Sequence, residues 1–388
     1  MKTIPRQITS IVRFQLGKFP VLTLTGPRQS GKTTLLKTEF TDYKYFNLER
    51  IDHRELILSD PLGFLHAQGP KVIFDEAQRV PELFSYIQVV SDERGTPGQY
   101  ILSGSQSFLM NNHILQSLAG RTYISHLFPF GINELGLSDQ EITKYIFNGF
   151  YPRLYNSDIK PTDFYPSYIQ TYIERDIRSL KNIENLNTFT RFLGLCAGRI
   201  GQVLNLSSLA NDTGVAVNTV KSWLSLLESS FILYQLNPYY KNFSKRLIKS
   251  PKIYFYDTGL ACSLLKIQDN EMIKTHYLYG ALYENFIISE LLKAQYHAGK
   301  VPSIYYWRES NGVEIDCIME LNNHKIIALE IKAGETFNKD YLKNFKNFAG
   351  NESDIQKYLI YTGDSSTVIS DVTIIGKSNF QKFIKQLS

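Results

Sequence analysis

Gly26-Pro27-Arg28-Gln29-Ser30-Gly31-Lys32-Thr33 decides how this chain is read. It fits the phosphate-loop pattern of two glycines with four residues between them, followed by Lys and Thr. The apolar run Val21-Leu22-Thr23-Leu24-Thr25 precedes it, and the helix-competent run Thr34-Leu35-Leu36-Lys37-Thr38-Glu39-Phe40 follows. Strand, glycine-bearing turn and helix are the context the motif requires. The glycines let successive backbone N–H groups converge on one phosphate, and the helix start adds positive potential. Residues 26–34, Thr34 included, are the expected nucleotide-binding set. Within it Lys32 reaches the β- and γ-phosphates and the Thr33 hydroxyl ligates Mg²⁺.

Working outward, four further β-like runs recur at Tyr43–Leu48, Lys71–Asp75, Gln99–Ser103 and Thr122–Phe128, separated by helix-length segments. Such alternation predicts a parallel sheet covered by helices on both faces. The run Lys71-Val72-Ile73-Phe74 closes on Asp75 and Glu76. Asp75 is expected to hold Mg²⁺ and Glu76 to activate the attacking water. The Gln99–Ser103 strand should lie between the other two, where Ser103 or Ser105 would orient that water. A capping or turn role for these serines is the competing reading. Arg121 is a candidate arginine finger reaching a neighbouring subunit's γ-phosphate, against a solvated surface arginine. Arg28 is a second candidate for phosphate or partner contact.

These motifs resemble a largely uncharacterised group of bacterial and archaeal AAA+-type ATPases. The resemblance continues through Phe-Pro-Phe-Gly-Ile-Asn-Glu-Leu (128–135), Asn-Gly-Phe-Tyr-Pro-Arg (148–153) and Tyr-Ile-Glu-Arg-Asp-Ile (172–177), so it spans nearly the whole chain. It implies a Mg²⁺-dependent ATPase core over residues 1–135, and it strengthens the finger reading of Arg121, hence a homo-oligomer.

Size and composition are compatible with this. A chain of 388 residues exceeds one core. With 43% hydrophobic and 20% charged residues it reads as an ordinary soluble protein. The net charge of +5 permits a nucleic-acid partner without demanding one. Cys196, Cys262 and Cys317 sit far apart in apolar contexts, which predicts buried thiols in a reducing compartment. Neither a signal-peptide core nor an apolar stretch of membrane-spanning length is present, so a cytoplasmic protein without a membrane partner is expected.

Residues 136–190 are helix-rich with Pro and Gly breaks and read as a lid or connector. Within them Glu174-Arg175-Asp176-Ile177-Arg178 is either a solvated face with i,i+4 pairing or a subunit contact. Residues 191–265 read as a winged helix-turn-helix. Leu206–Gly214 and Val215–Glu228 carry a short helix, a Gly-containing turn and a second helix, with Val217, Val220, Leu224 and Leu227 on one face, and Phe231–Leu236 and Lys252–Tyr256 form two strands. DNA contact, chiefly through Lys241, Lys245, Arg246 and Lys249, and a packing role both remain open.

Residues 270–388 hold a second site. A helical run Tyr283–Leu292 precedes strands at Ser303–Arg308, Val313–Glu320 and Lys325–Lys332, with turns at Asn311-Gly312 and near Asn322-Asn323. Alternation puts Glu330 and Lys332 on one face, where Asp316 of the adjacent strand meets them. Two carboxylates beside a lysine suit Mg²⁺ and phosphodiester chemistry. Glu284 would add a third acid, and Glu314 is a rival to Asp316. The pattern Asp…Glu-x-Lys resembles the restriction-endonuclease-like PD-(D/E)XK fold, without the usual Pro before the Asp. Together these features imply an α/β protein. An AAA+ core with a parallel sheet, a connector and a winged helix would precede a restriction-endonuclease-like α/β domain. ATP and Mg²⁺ are the expected cofactors. The ATP cycle would control a half directed at DNA (duplex, single-stranded or branched). A slow switch with an inert nuclease fold and an ATP-gated nuclease are the alternatives.

Overall fold

The computed structural model describes residues 4–105, 117–136, 141–177, 185–240, 242–309, 311–321, 325–348 and 355–387. It divides into two compact units. Met1–Phe130, Ser229–Phe231 and Tyr296–Lys300 form the first, and the remaining residues form the second.

The first unit is built on a parallel sheet of β1 (Val21–Thr25), β2 (Lys44–Asn47), β3 (Val72–Asp75), β4 (Tyr100–Gly104) and β5 (Thr122–His126). Their order is β2-β3-β4-β1-β5. The expected strands thus form in parallel, and β4 does separate β1 from β3. β1, β3 and β4 are buried on both faces, so they read as nearly unbroken apolar runs. Alternation then sorts their side chains into two cores. Leu22, Leu24, Ile73 and Ile101 pack with Ile8, Val12, Leu35 and Leu36. Val21, Val72, Phe74, Tyr100 and Leu102 pack with Leu65, Leu83, Phe84 and Ile87 on the opposite face. Parallel strands bring their C-terminal ends to one edge, and Thr25, Asp75 and Ser103 arrive there together.

The second unit begins with helices. Pro166 lies within the Pro161–Tyr168 helix, and a π-helical stretch over Ile169–Ile177 follows it. Arg178, the last residue of the charged segment singled out above, lies outside the described residues. The Leu206–Thr213 helix ends at Gly214, whose φ of 83° supplies the left-handed turn into the Val217–Ser229 helix. Val220, Trp223, Leu224 and Leu227 are buried there, whereas Asn218 and Lys221 are exposed. An antiparallel pair, β6 (Leu233–Leu236) and β7 (Lys252–Phe255), comes next.

A mixed sheet in the order β12-β13-β11-β10-β9-β8 completes the unit. Its strands are β8 (Ile304–Arg308), β9 (Glu314–Glu320), β10 (Ile326–Lys332), β11 (Ile355–Tyr361), β12 (Thr367–Ile369) and β13 (Val372–Ile375). β8, β9 and β10 are antiparallel, whereas β10 pairs in parallel with β11. The Tyr279–His297 helix precedes them. Gly312, with φ of 90°, turns β8 into β9, while the turn anticipated near Asn322-Asn323 lies outside the described residues. All three cysteines are buried thiols. No described helix is long and apolar enough to cross a membrane.

Candidate functional site

The phosphate loop leaves β1 through Gly26, whose φ is 150°. A Cβ at Gly26 would lie 2.1 Å from the Leu127 carbonyl oxygen, so only glycine lets the loop pass. Gln29 (φ 62°) and Gly31 (φ 97°) carry the next left-handed turns, and Gly31 delivers the chain into the Lys32–Glu39 helix. The Arg6 guanidinium fastens the loop by donating to Ser30 O at 2.8 Å and Phe128 O at 2.6 Å.

Lys32 is buried and donates to the loop's own Gly26 and Pro27 carbonyls, each at 2.9 Å. Burial lowers its pKa to about 8, against the opposing pull of Glu76 and Asp75. Thr33 Oγ1 donates to Asp75 Oδ2 at 2.7 Å, joining the loop to the end of β3. The Tyr45 hydroxyl, on neighbouring β2, donates to the same oxygen at 2.5 Å, and Ser103 Oγ donates to Asp75 Oδ1. Desolvation first, and then the Asp75 bond, hold the Tyr45 phenol far above its usual range. Asp75 is thus held from three sides, which fixes its carboxylate beside Thr33. A hydroxyl and a carboxylate are what a P-loop protein offers to Mg²⁺, the remaining positions falling to phosphates and water.

Glu76 adopts φ 58° and ψ 46°, a left-handed conformation costly for a residue with a side chain. Its Oε2 accepts from Gln78 Nε2 at 2.6 Å and Ser105 Oγ at 3.1 Å. The structure therefore divides the two serines. Ser103 lies opposite Asp75 in the sheet and serves it, whereas Ser105 serves Glu76. Tyr45 and Gln78 went unread in the sequence. Gln78 was legible as a polar group two residues from Glu76, but nothing local linked Tyr45 to a residue thirty positions later.

Arg121 precedes Thr122, which lies opposite Val21 at the start of β1. It is therefore at the sheet edge away from the phosphate loop of its own chain. Its guanidinium grips Asp92 with two bonds, Nε–Oδ1 at 2.7 Å and Nη2–Oδ2 at 2.8 Å.

In the second unit, Asp316, Glu330 and Lys332 come together as the hairpin register requires. Lys332 Nζ lies 3.0 Å from Asp316 Oδ2 and 2.5 Å from Glu330 Oε2. Asp316 Oδ2 also accepts from Ile331 N at 2.7 Å, and Glu330 Oε1 from Asn344 Nδ2 at 3.0 Å. Burial, and then Asp316, push Glu330 up to about 8. Burial opposes the ionisation of Asp316, but Lys332 and Lys252 outweigh it and hold that carboxyl below the usual range.

Glu284 belongs to a neighbouring set instead. It accepts from Lys252 Nζ at 3.2 Å and from the Tyr254 hydroxyl, both on β7. Lys252 also pairs with Glu314, and Arg308 lies 3.5 Å from the other Glu314 oxygen. Among the described residues no three His, Cys, Asp or Glu side chains are grouped to hold a metal ion. Lys252, Tyr254 and Asn344 went unread because only tertiary structure brings them to the acids.

The anticipated basic wing is also partly spoken for. Arg246 is buried, binds Glu320 at 2.6 and 2.9 Å, and stacks on Tyr239 and Tyr305 at 4.6 Å from each ring centre. Lys245 and Lys249 are exposed, and Lys241 lies outside the described residues.

The family model for an AAA domain matches residues 18–136. Two further models, each for a domain of unknown function (DUF8612 and DUF4143), match residues 139–271 and 279–379. The uncharacterised protein Rv2008c of Mycobacterium tuberculosis is 32% identical over 336 residues, which is 85% of this chain and 74% of that protein. The uncharacterised protein Mb2031c of Mycobacterium bovis matches with the same identity and coverage. This chain belongs to their family of AAA+ P-loop ATPases. Among solved structures, the Walker-type ATPase PABY2304 of Pyrococcus abyssi aligns with a TM-score of 0.43 at 15% identity, over 68% of this chain and 96% of that one. The AAA-domain match covers every candidate nucleotide-site residue from Gly26 to Arg121.

Proposed function

We propose that the first unit binds and hydrolyses ATP with Mg²⁺, and that the second unit is a nucleic-acid-directed module that does not cut. The observation that carries the first half is the convergence of Lys32, Thr33, Asp75, Glu76 and Ser105 at one sheet edge. The loop backbone from Gly26 to Thr34 cradles the phosphates. Lys32 exchanges the Gly26 and Pro27 carbonyls for β- and γ-oxygens, a gain in charge pairing. Thr33 and Asp75 hold Mg²⁺, which neutralises charge developing on the phosphates. Glu76 takes the proton of the attacking water, and Ser105 fixes the direction in which that carboxylate points. Arg121 completes a neighbour's site by exchanging Asp92 for a γ-phosphate, which requires a homo-oligomer.

The winged-helix reading is supported by the helix pair 206–213 and 217–229 followed by the antiparallel β6–β7 pair. The restriction-endonuclease-like reading is supported by the Tyr279–His297 helix ahead of antiparallel β8–β9–β10 and parallel β11. Exposed Lys221, Lys245 and Lys249 supply phosphate contacts. The C-terminal acids as arranged do not fit a divalent ion, because a buried or half-buried ammonium already pairs with one oxygen of each. We therefore favour the non-cutting switch over the ATP-gated nuclease.

The test is ATP turnover by the full chain with Mg²⁺ or with EDTA, each with and without duplex, single-stranded and branched DNA, beside a gel for cleavage products. Turnover that needs Mg²⁺ and Lys32, responds to DNA and leaves it intact supports the reading. Turnover insensitive to EDTA, or shortened DNA that depends on Lys332, contradicts it.

A further inference from the structure

Lys252 is the feature of the second unit that the sequence motifs do not account for. It opens β7, outside the C-terminal sheet, and is 2% exposed. A buried ammonium persists only when paired. Here Nζ lies between Glu284 of the Tyr279–His297 helix and Glu314 of β9. Its positive charge is also felt by Asp316, on the same face of β9 as Glu314. The Tyr306 ring flanks the ammonium at 5.5 Å.

Neighbouring groups hold this lysine in place. Tyr254, two residues along β7, donates to the same Glu284 carboxylate. Asn285 clamps the strand with bonds of 2.7 and 2.8 Å to the Phe255 backbone. The Tyr306 hydroxyl donates to Ser250 O at 2.6 Å, next to the start of β7.

We propose that Lys252 is the resident cation of the C-terminal carboxylate cluster. It bridges Glu284 and Glu314, and it thereby ties β7 to the C-terminal sheet. Lys332 does the same for Asp316 and Glu330, so each acid pair has its own ammonium. The cluster is an ion-pair fastening that needs no metal, because an ammonium holds one oxygen of each of the four carboxylates. This rests on the second unit alone and is independent of ATP hydrolysis.

Mn²⁺ binding to the full chain without nucleotide, followed by electron paramagnetic resonance, tests it. The wild-type chain is expected to show no Mn²⁺ equivalent that Asp316→Asn removes. Lys252→Met keeps the length of the side chain and deletes the charge, and it is expected to gain a single Mn²⁺ equivalent that Glu314→Gln abolishes. An Asp316-dependent Mn²⁺ site already present in the wild-type chain overturns the proposal, whether or not any variant folds. A folded Lys252→Met that gains no site also overturns it. Lys252→Gln, judged by the same criterion, serves if the Met variant does not fold. Any Mn²⁺ held by the phosphate loop is removed by Asp75→Asn instead, so the two sites are read separately.

Discussion

Glu76 and Asp75 are adjacent in sequence yet have different partners, because β4 carries one serine to Asp75 and the residue just past its end carries another to Glu76. Ser103 lies opposite Asp75 and bonds to it, and Ser105 bonds to Glu76 at 3.1 Å. Ser105→Ala should therefore lower ATP turnover by about 10²-fold with little change in nucleotide affinity, since it loosens only the water-activating carboxylate. Steady-state kinetics and nucleotide calorimetry check this together. Lys32 gives a pH prediction. Its pKa of about 8 lies below the usual lysine value because it is buried. Phosphate oxygens favour the ammonium and raise that pKa on binding. Below about 8 the charge is already present, and above it binding must take up a proton. ATP affinity should then fall by up to about tenfold per pH unit above that point. Calorimetry in buffers of different ionisation enthalpy would detect the proton. Lys32, Thr33, Asp75 and Glu76 were legible because contiguous motifs carry them. The division between Ser103 and Ser105, and the part of Tyr45, were not, because strand register and a neighbouring strand decide them.

At the scale of elements, the central strands were readable because a parallel sheet buried on both faces needs unbroken apolar runs, as in Val21–Thr25 and Val72–Asp75. The outer strands β11 to β13 were not read. β11 begins Ile355-Gln356-Lys357 with one side chain exposed among half-buried neighbours, so its pattern is weak. The helix within the expected wing, Phe243–Ile248, was also missed, and Arg246 there faces Glu320. Two substitutions test the elements that hold each unit. Gly26→Ala places a methyl against the Leu127 carbonyl, so nucleotide binding should be lost and thermal stability should fall. Asp257 is a buried carboxylate that accepts from Phe150 N at 2.7 Å, Tyr165 Oη at 2.7 Å and Leu260 N at 3.0 Å. Asp257→Ala leaves those donors without a partner and should cost about 2–4 kcal/mol in urea unfolding of the second unit.

At the scale of the whole molecule, the proposed ATPase is an oligomer whose subunits complete one another's sites through Arg121. The finger reading predicts complementation. Arg121→Ala and Lys32→Ala chains should each lose turnover alone, the first by about 10³-fold. Mixed together, they should recover part of it, because one chain supplies an intact phosphate loop and the other an intact arginine. Turnover that stays at the level of the separate variants on mixing contradicts action between subunits. In the proposed mechanism Glu76 activates water for hydrolysis of a triphosphate held by Lys32 and Thr33. The most direct measurement is single-turnover hydrolysis of ATP by Glu76→Gln chains beside the wild type. The variant is expected to retain ATP with Mg²⁺ and leave it uncleaved, while the wild type releases phosphate. Phosphate release at the wild-type rate by a folded, nucleotide-bound Glu76→Gln protein would contradict it.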